Sequence, residues 1–208
     1  MKNHFQRNKS KKINLMRLRI PLSLLLCTLV LTACKQEEKE IEIIPEQSQT
    51  EIISKPPQKV LSPHTSTLGI LGDTKIRIDY SSPGVRDRMI FGGLLAYDQV
   101  WQAGAHMATW IETNNDLIIN DIVLPAGKYG FFVIPSKDEW TIIFNSDWDQ
   151  HGKDDYNEKN DVLRFKVKPK ISNEIIEHLE YKIVKANDKE GTISLAWEKV
   201  IVSFNFQC

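Results

Sequence analysis

Along the second half of the chain, apolar and polar positions alternate one for one. Ile76, Ile78 and Tyr80 interleave with Lys75, Arg77 and Asp79. Trp140, Ile142 and Phe144 interleave with Thr141 and Asn145, and Leu163, Phe165 and Val167 with Arg164, Lys166 and Lys168. Ile193, Leu195 and Trp197 follow, then Val200, Val202, Phe204 and Phe206. A period of two places one side of an extended strand in a core and the other in water. Turn-forming residues separate the runs: Asn114-Asn115, Pro125-Ala126-Gly127, Pro135-Ser136, Asn187-Asp188 and Gly191. No long amphipathic helix is present. Leu94 to Gln102 reads as one or two helical turns, and Asn173 as the cap of another short turn. The pattern predicts an all-β fold, an antiparallel β-sandwich, with a jelly roll among the arrangements that fit. Residues 61–208 suit one such domain and show no internal repeat.

The first sixty residues follow other rules. Lys2, Arg7, Lys9, Lys11, Lys12, Arg17 and Arg19 precede an apolar run from Ile20 to Val30, which is too short for a stable membrane span. The run ends in Leu31-Thr32-Ala33-Cys34, which is similar to a bacterial lipobox. On that reading residues 1–33 are a lipoprotein signal peptide, and Cys34 becomes the lipidated first residue of the mature chain. Two or more acyl chains anchor firmly, at about 0.8 kcal/mol per buried CH₂. Residues 34–60 are rich in Glu, Gln, Lys, Ser and Pro and read as a disordered tether. The expected location is the bacterial cell envelope, as an outer-membrane lipoprotein on its periplasmic or surface face. Lys35-Gln36-Glu37-Glu38 resembles a short surface-export tag and equally fits a solvated linker.

Cleavage changes the charge balance. The full chain carries 27 basic and 27 acidic residues; losing the seven basic residues before Cys34 leaves 20 against 27, a formal charge of −7. Such a chain offers no basic patch, and no nucleic-acid partner is expected. Of three cysteines, Cys27 is removed and Cys34 lipidated, so Cys208 stands alone at a terminus prone to fray.

Candidate chemistry concentrates in Tyr80–Trp110, which holds four Gly, two Arg, two Trp, two Tyr and a His between two strand-like runs. Tyr80, Arg86, Arg88, Asp98, Trp101 and His106 are the candidate ligand-binding residues. An Arg fork beside aromatics can hold a carboxylate, phosphate or sugar acid, and His106 can exchange a proton near neutral pH. The same residues also fit a structural lasso, with aromatics plugging the sandwich end and guanidiniums satisfying carbonyls. No nucleophile–base pair stands out, because Ser81 and Ser82 lack a G-x-S-x-G setting.

No metal or cofactor is expected. Residues 147–158 place acids at positions one, three and nine, Gly at six and Glu at twelve, as an EF-hand loop does. His151 stands at position five and Asp154 at eight, and a strand leads in, so a solvated acidic loop fits better. His106, His151 and His178 share no ligand spacing, and Gly92-Gly93 is not followed by the G-K-[ST] of a phosphate loop.

Tyr80-Ser81-Ser82-Pro83, Arg88-Met89-Ile90-Phe91-Gly92-Gly93-Leu94, Val100-Trp101 and Gly104-Ala105 together resemble one family. So do Leu124-Pro125-Ala126-Gly127-Lys128-Tyr129, Asp138-Glu139-Trp140-Thr141 and Leu163-Arg164-Phe165-Lys166-Val167. It is the bacterial secreted-protein family called domain of unknown function 2911, and the resemblance spans residues 70–206. It implies an extracytoplasmic β-rich domain, often on a lipoprotein, and brings no established activity or catalytic residue. The chain departs from it at Gln102 and His106, where Arg and Asn are usual. The reading that follows is a lipid-anchored module binding a ligand or protein partner. The alternatives are an extracytoplasmic hydrolase acting near Arg86 and His106, and a structural subunit of a membrane complex.

Cys34→Ala is expected to release the protein from membranes or to block its processing. Fractionation of cells expressing the full chain checks this; wild-type processing and membrane attachment would refute the lipobox.

Overall fold

The computed structural model describes residues 60–208; the lipobox, Cys34 and residues 35–59 lie outside the described residues. Ten strands run in order: β1 (His64–Leu71), β2 (Thr74–Ser81), β3 (Trp110–Thr113), β4 (Leu117–Ile119), β5 (Ile122–Leu124) and β6 (Gly127–Ile134). They continue as β7 (Trp140–Asn145), β8 (Asp161–Val167), β9 (Lys170–Lys185) and β10 (Glu190–Gln207), with one 3-10 turn at Glu158–Asn160. Every pairing is antiparallel. Six strands form one sheet in the order β1-β2-β3-β6-β7-β8, and four form the other in the order β5-β4-β10-β9. The result is an all-β sandwich divided six and four.

The core lies between the sheets. Ile76, Ile78, Ile111, Phe131, Val133, Ile142 and Phe144 point inward from the larger sheet, and Ile193, Leu195, Val202, Phe204 and Phe206 from the smaller. Phe204 packs against Phe131, Phe144 and Phe165, with ring centroids 6.4, 6.1 and 5.2 Å away. Such aromatic pairs add about 0.5–1.5 kcal/mol each beyond burial.

The two alternating runs at 193–197 and 200–206 belong to a single strand. In β10 the buried large side chains are at odd-numbered positions up to Trp197 and at even-numbered ones from Val202, and the register against β9 breaks on both sides of Glu198. Glu198 has φ +55°. The extra residues at these breaks belong to β9, while the left-handed backbone at Glu198 interrupts the alternation of β10, so the chain exchanges parity and its apolar face stays on the core.

Tyr80–Trp110 folds without helix. Where Leu94 to Gln102 were expected to coil, Gly92 N–H donates to Leu95 O at 2.8 Å, Leu95 N–H to Ile90 O at 2.8 Å, and Asp98 takes φ +61°. The helical reading fails because Trp101 pairs with Val133 in both directions, at 2.8 and 3.0 Å, beside β6 just beyond the end of β3. A sheet place of that kind satisfies the backbone better than a solvated turn of helix. Asn173 likewise lies inside β9 and caps nothing. Pro83 to Val85 runs along β9, with Leu179 N–H to Pro83 O at 3.0 Å and Val85 N–H to Glu177 O at 2.8 Å. Cys208 is tied down through its N–H to Lys189 O at 2.8 Å.

Trp101 is buried and stacks on Trp197, centroid to centroid 5.6 Å, while its indole N–H donates to Gly104 O at 2.9 Å. Ala103 beside it sits at φ +51°, held by Thr109 and Tyr181 hydroxyls that both donate to its carbonyl, at 3.0 and 2.7 Å. Complete burial keeps the Tyr181 phenol protonated well above its ordinary range. Trp101→Ala is expected to cost about 3–5 kcal/mol through the cavity it leaves. Thermal unfolding of the full chain in detergent reads this, and a shift of only a degree or two would refute it.

Candidate functional site

The outer face of the six-stranded sheet holds the site. Successive residues of β2 turn Arg77, Asp79 and Ser81 outward while Ile76, Ile78 and Tyr80 fill the core. Asp79 pairs across to Trp110, Trp110 to Gly130, and Gly130 to Asn145, so these four residues form one outward row across four strands. Part of this face is covered by the β7–β8 connection. Asn145, fully buried, accepts from Asp147 N–H at 2.8 Å and donates to Asn157 O at 3.0 Å and Asp161 Oδ1 at 2.7 Å. Phe132, Ile143 and Ala108 form a second small core beneath it, with Tyr156 packed on top. Burial, then the hydrogen bond that Tyr156 donates to Asp161 at 2.8 Å, push the Tyr156 phenol above its ordinary range.

Gly130 lets this connection come down onto the sheet. A Cβ there would lie 2.9 Å from Asp147 O and 3.2 Å from Trp148 Cα. Trp148 therefore reaches Trp110, with ring centroids 6.3 Å apart at 68°. The Lys128 ammonium sits between the rings, 3.6 Å from the Trp110 centroid and 3.4 Å from that of Trp148. Arg77 flanks Trp110 at 5.4 Å. Lys128 has no carboxylate within 4.0 Å among the described residues, so the cation is held by the faces of two indoles.

Beside this clamp lies a small cleft of about 140 Å³, open to solvent and lined by His64, Asp79, Tyr80, Ser81, Met107, Ala108, Trp110, Trp148 and Asp149. Asp79 is 6% exposed; His64 Nε2 is 3.0 Å from one of its oxygens and Arg77 Nη2 2.9 Å from the other. That pairing compensates a buried carboxylate. His64 and Ser81 are cross-strand partners at the mouth. Trp110 and Trp148 are half-buried, while Met107 and Asp149 are exposed.

The six residues expected from sequence are dispersed. Tyr80 borders the cleft, but its ring is buried against Tyr181 at 4.7 Å. Trp101 lies in the main core. Arg88 is turned onto the backbone, donating to Val85 O at 3.0 Å and Gly84 O at 2.7 Å. Arg86, Asp98 and His106 are exposed, each at positive φ. None of the described cavities joins Arg86 to His106. In the acidic loop, Asp147 accepts from Asn160 and His151 faces Asp154 at 3.4 Å; no group of three metal-ligating side chains occurs among the described residues.

A family model described as "Protein of unknown function (DUF2911)" matches residues 62–206. The chain belongs to that family. No curated protein and no solved structure matches it. The matched span includes every cleft residue of this DUF2911 domain, from His64 to Asp149. His64, Asp79, Trp110, Lys128 and Trp148 escaped the sequence reading. Their signal was faint: a Gly between Lys128 and Phe132 in an otherwise bulky strand, and a lone Trp inside the acidic loop.

Gly130→Ala is expected to push Asp147–Trp148 off the sheet and to cost about 1–3 kcal/mol. The emission of Trp148 would shift to longer wavelength as it loses Lys128 and Trp110. An unchanged spectrum and melting temperature would show that the loop does not depend on the bare backbone at Gly130.

Proposed function

We propose that this protein is a ligand-binding module of the bacterial cell envelope, held at the membrane by lipid on Cys34, with its binding site in the Trp110–Trp148 cleft. The observation that carries the reading is the pair of half-buried tryptophans standing over a compensated buried carboxylate. Aromatic walls with a few fixed polar groups are the usual make-up of a small-molecule site. The groups are also held in advance. Asp79 is fixed by two partners, Lys128 by two rings and Trp148 by the anchored loop. Little ordering entropy is then lost on binding. A hydrolase centred on Arg86 and His106 gains no support, because none of the described cavities holds both side chains.

The test is a thermal-shift screen of the full chain in detergent against sugars, amino acids, dicarboxylates, nucleosides and amines. At least one compound is expected to raise the melting temperature of wild type and not of Trp148→Ala. Saturation at 100 times Kd corresponds to about 2.7 kcal/mol, or several degrees. Equal responses from both proteins across the screen would move the site elsewhere, and no response at all would remove the binding reading.

A further inference from the structure

We infer that the ligand of the cleft is a neutral sugar ring, a conclusion that rests on the binding reading above and narrows it by charge. A cationic ligand is disfavoured because a fixed positive charge already stands against both rings and repels a second one. Lys128 Nζ already lies 3.6 and 3.4 Å from the two indole centroids, which is the place an organic ammonium would occupy. An anionic ligand is disfavoured by the carboxylate at the mouth. Asp149 is exposed, lines the cleft and has no cation within 4.0 Å among the described residues. Asp147 and Asp155 border the adjoining hollow on the same loop, so the local field repels negative charge. Arg77, the cation nearest Asp79, is already engaged by it.

A neutral, hydroxyl-bearing ring meets both conditions. Its C–H face can lie on Trp110 or Trp148, the kind of amphipathic surface that an indole offers. Its hydroxyls can donate to Asp149, a charge-assisted bond stronger than a neutral one, and can exchange bonds with Ser81 and with the His64 nitrogen turned away from Asp79. The cleft opens to solvent, so a ring within a longer glycan can enter as a free one does.

Tryptophan fluorescence of the full chain in detergent tests this, with glucose, N-acetylglucosamine, a tetrasaccharide of N-acetylglucosamine, glucuronate and choline as probes. Saturable quenching by at least one neutral sugar is expected, with glucuronate and choline at least ten-fold weaker. Glucose or N-acetylglucosamine alone sufficing would mean that a single ring is recognised, and a response confined to the tetrasaccharide would mean a ring within a chain; both support the inference. Asp149→Ala, on an exposed side chain, should weaken sugar binding at least five-fold without lowering the melting temperature. Stronger binding of glucuronate or choline than of any neutral sugar overturns the sugar inference but keeps the cleft as a binding site. So does a ligand from the thermal-shift screen that depends on Trp148 while every sugar fails. An Asp149→Ala variant that binds sugar as wild type does also overturns it.

Discussion

Strand β6 is buried on both faces, and the rest of the domain is arranged to make that possible. Phe131 and Phe132 are neighbours in sequence, point to opposite sides of the sheet and are 1% and 0% exposed. A strand of this kind needs a cover on each side. On the inner side the cover is the four-stranded sheet, through Phe204. On the outer side it is made of connections: Ala108 from the long β2–β3 passage and Tyr156 from the β7–β8 loop close over Phe132. A loop laid on a sheet must bury its own backbone polar groups, and Asn145 meets that requirement by bonding to both ends of the loop.

The cleft follows from the limits of that outer cover. The loop lies flat where Gly130 offers no side chain, and it stops there, because the next outward residues along the row are Trp110 and Asp79. Trp148 at the loop's edge meets Trp110 at the edge of the uncovered face, and Lys128 fills the wedge between them. The site is thus the border between a part of the sheet that is roofed and a part that is not. Its fixed groups come from β1, β2, β3, β6 and the β7–β8 loop, which explains why the family's sequence motifs do not spell it out as one contiguous stretch.

The Tyr80–Trp110 passage, rich in unusual residues, serves mainly to close the sandwich. Its Arg88 satisfies carbonyls, its Trp101 completes the edge of β6, and its positive-φ residues make the corners. Unusual residue chemistry in a loop can therefore mark a demanding backbone path as readily as a binding site. Its contribution to the cleft comes from its two ends, Tyr80 and Ser81 at one and Met107, Ala108 and Trp110 at the other.

By itself the sequence determined the fold class, because a period of two is a local property: each strand announces its own inner and outer faces in β2, β7, β8 and both halves of β10. It could not show that those halves are one strand, since a backbone irregularity at Glu198 and a new strand both produce the same change of parity. It suggested helix at Leu94–Gln102, because the spacing of apolar residues there cannot reveal that Val133 supplies a sheet partner. It left the site unseen for the same reason. Asp79 reads as an ordinary wet-face residue until His64 and Arg77 converge on it, and Lys128 reads as a solvated lysine until Trp110 and Trp148 enclose it. The lining of the cleft spans 85 positions, from His64 to Asp149, and only strand register and the return of a loop over Gly130 bring these residues together. Tertiary structure decided the cleft because its defining contacts are non-local.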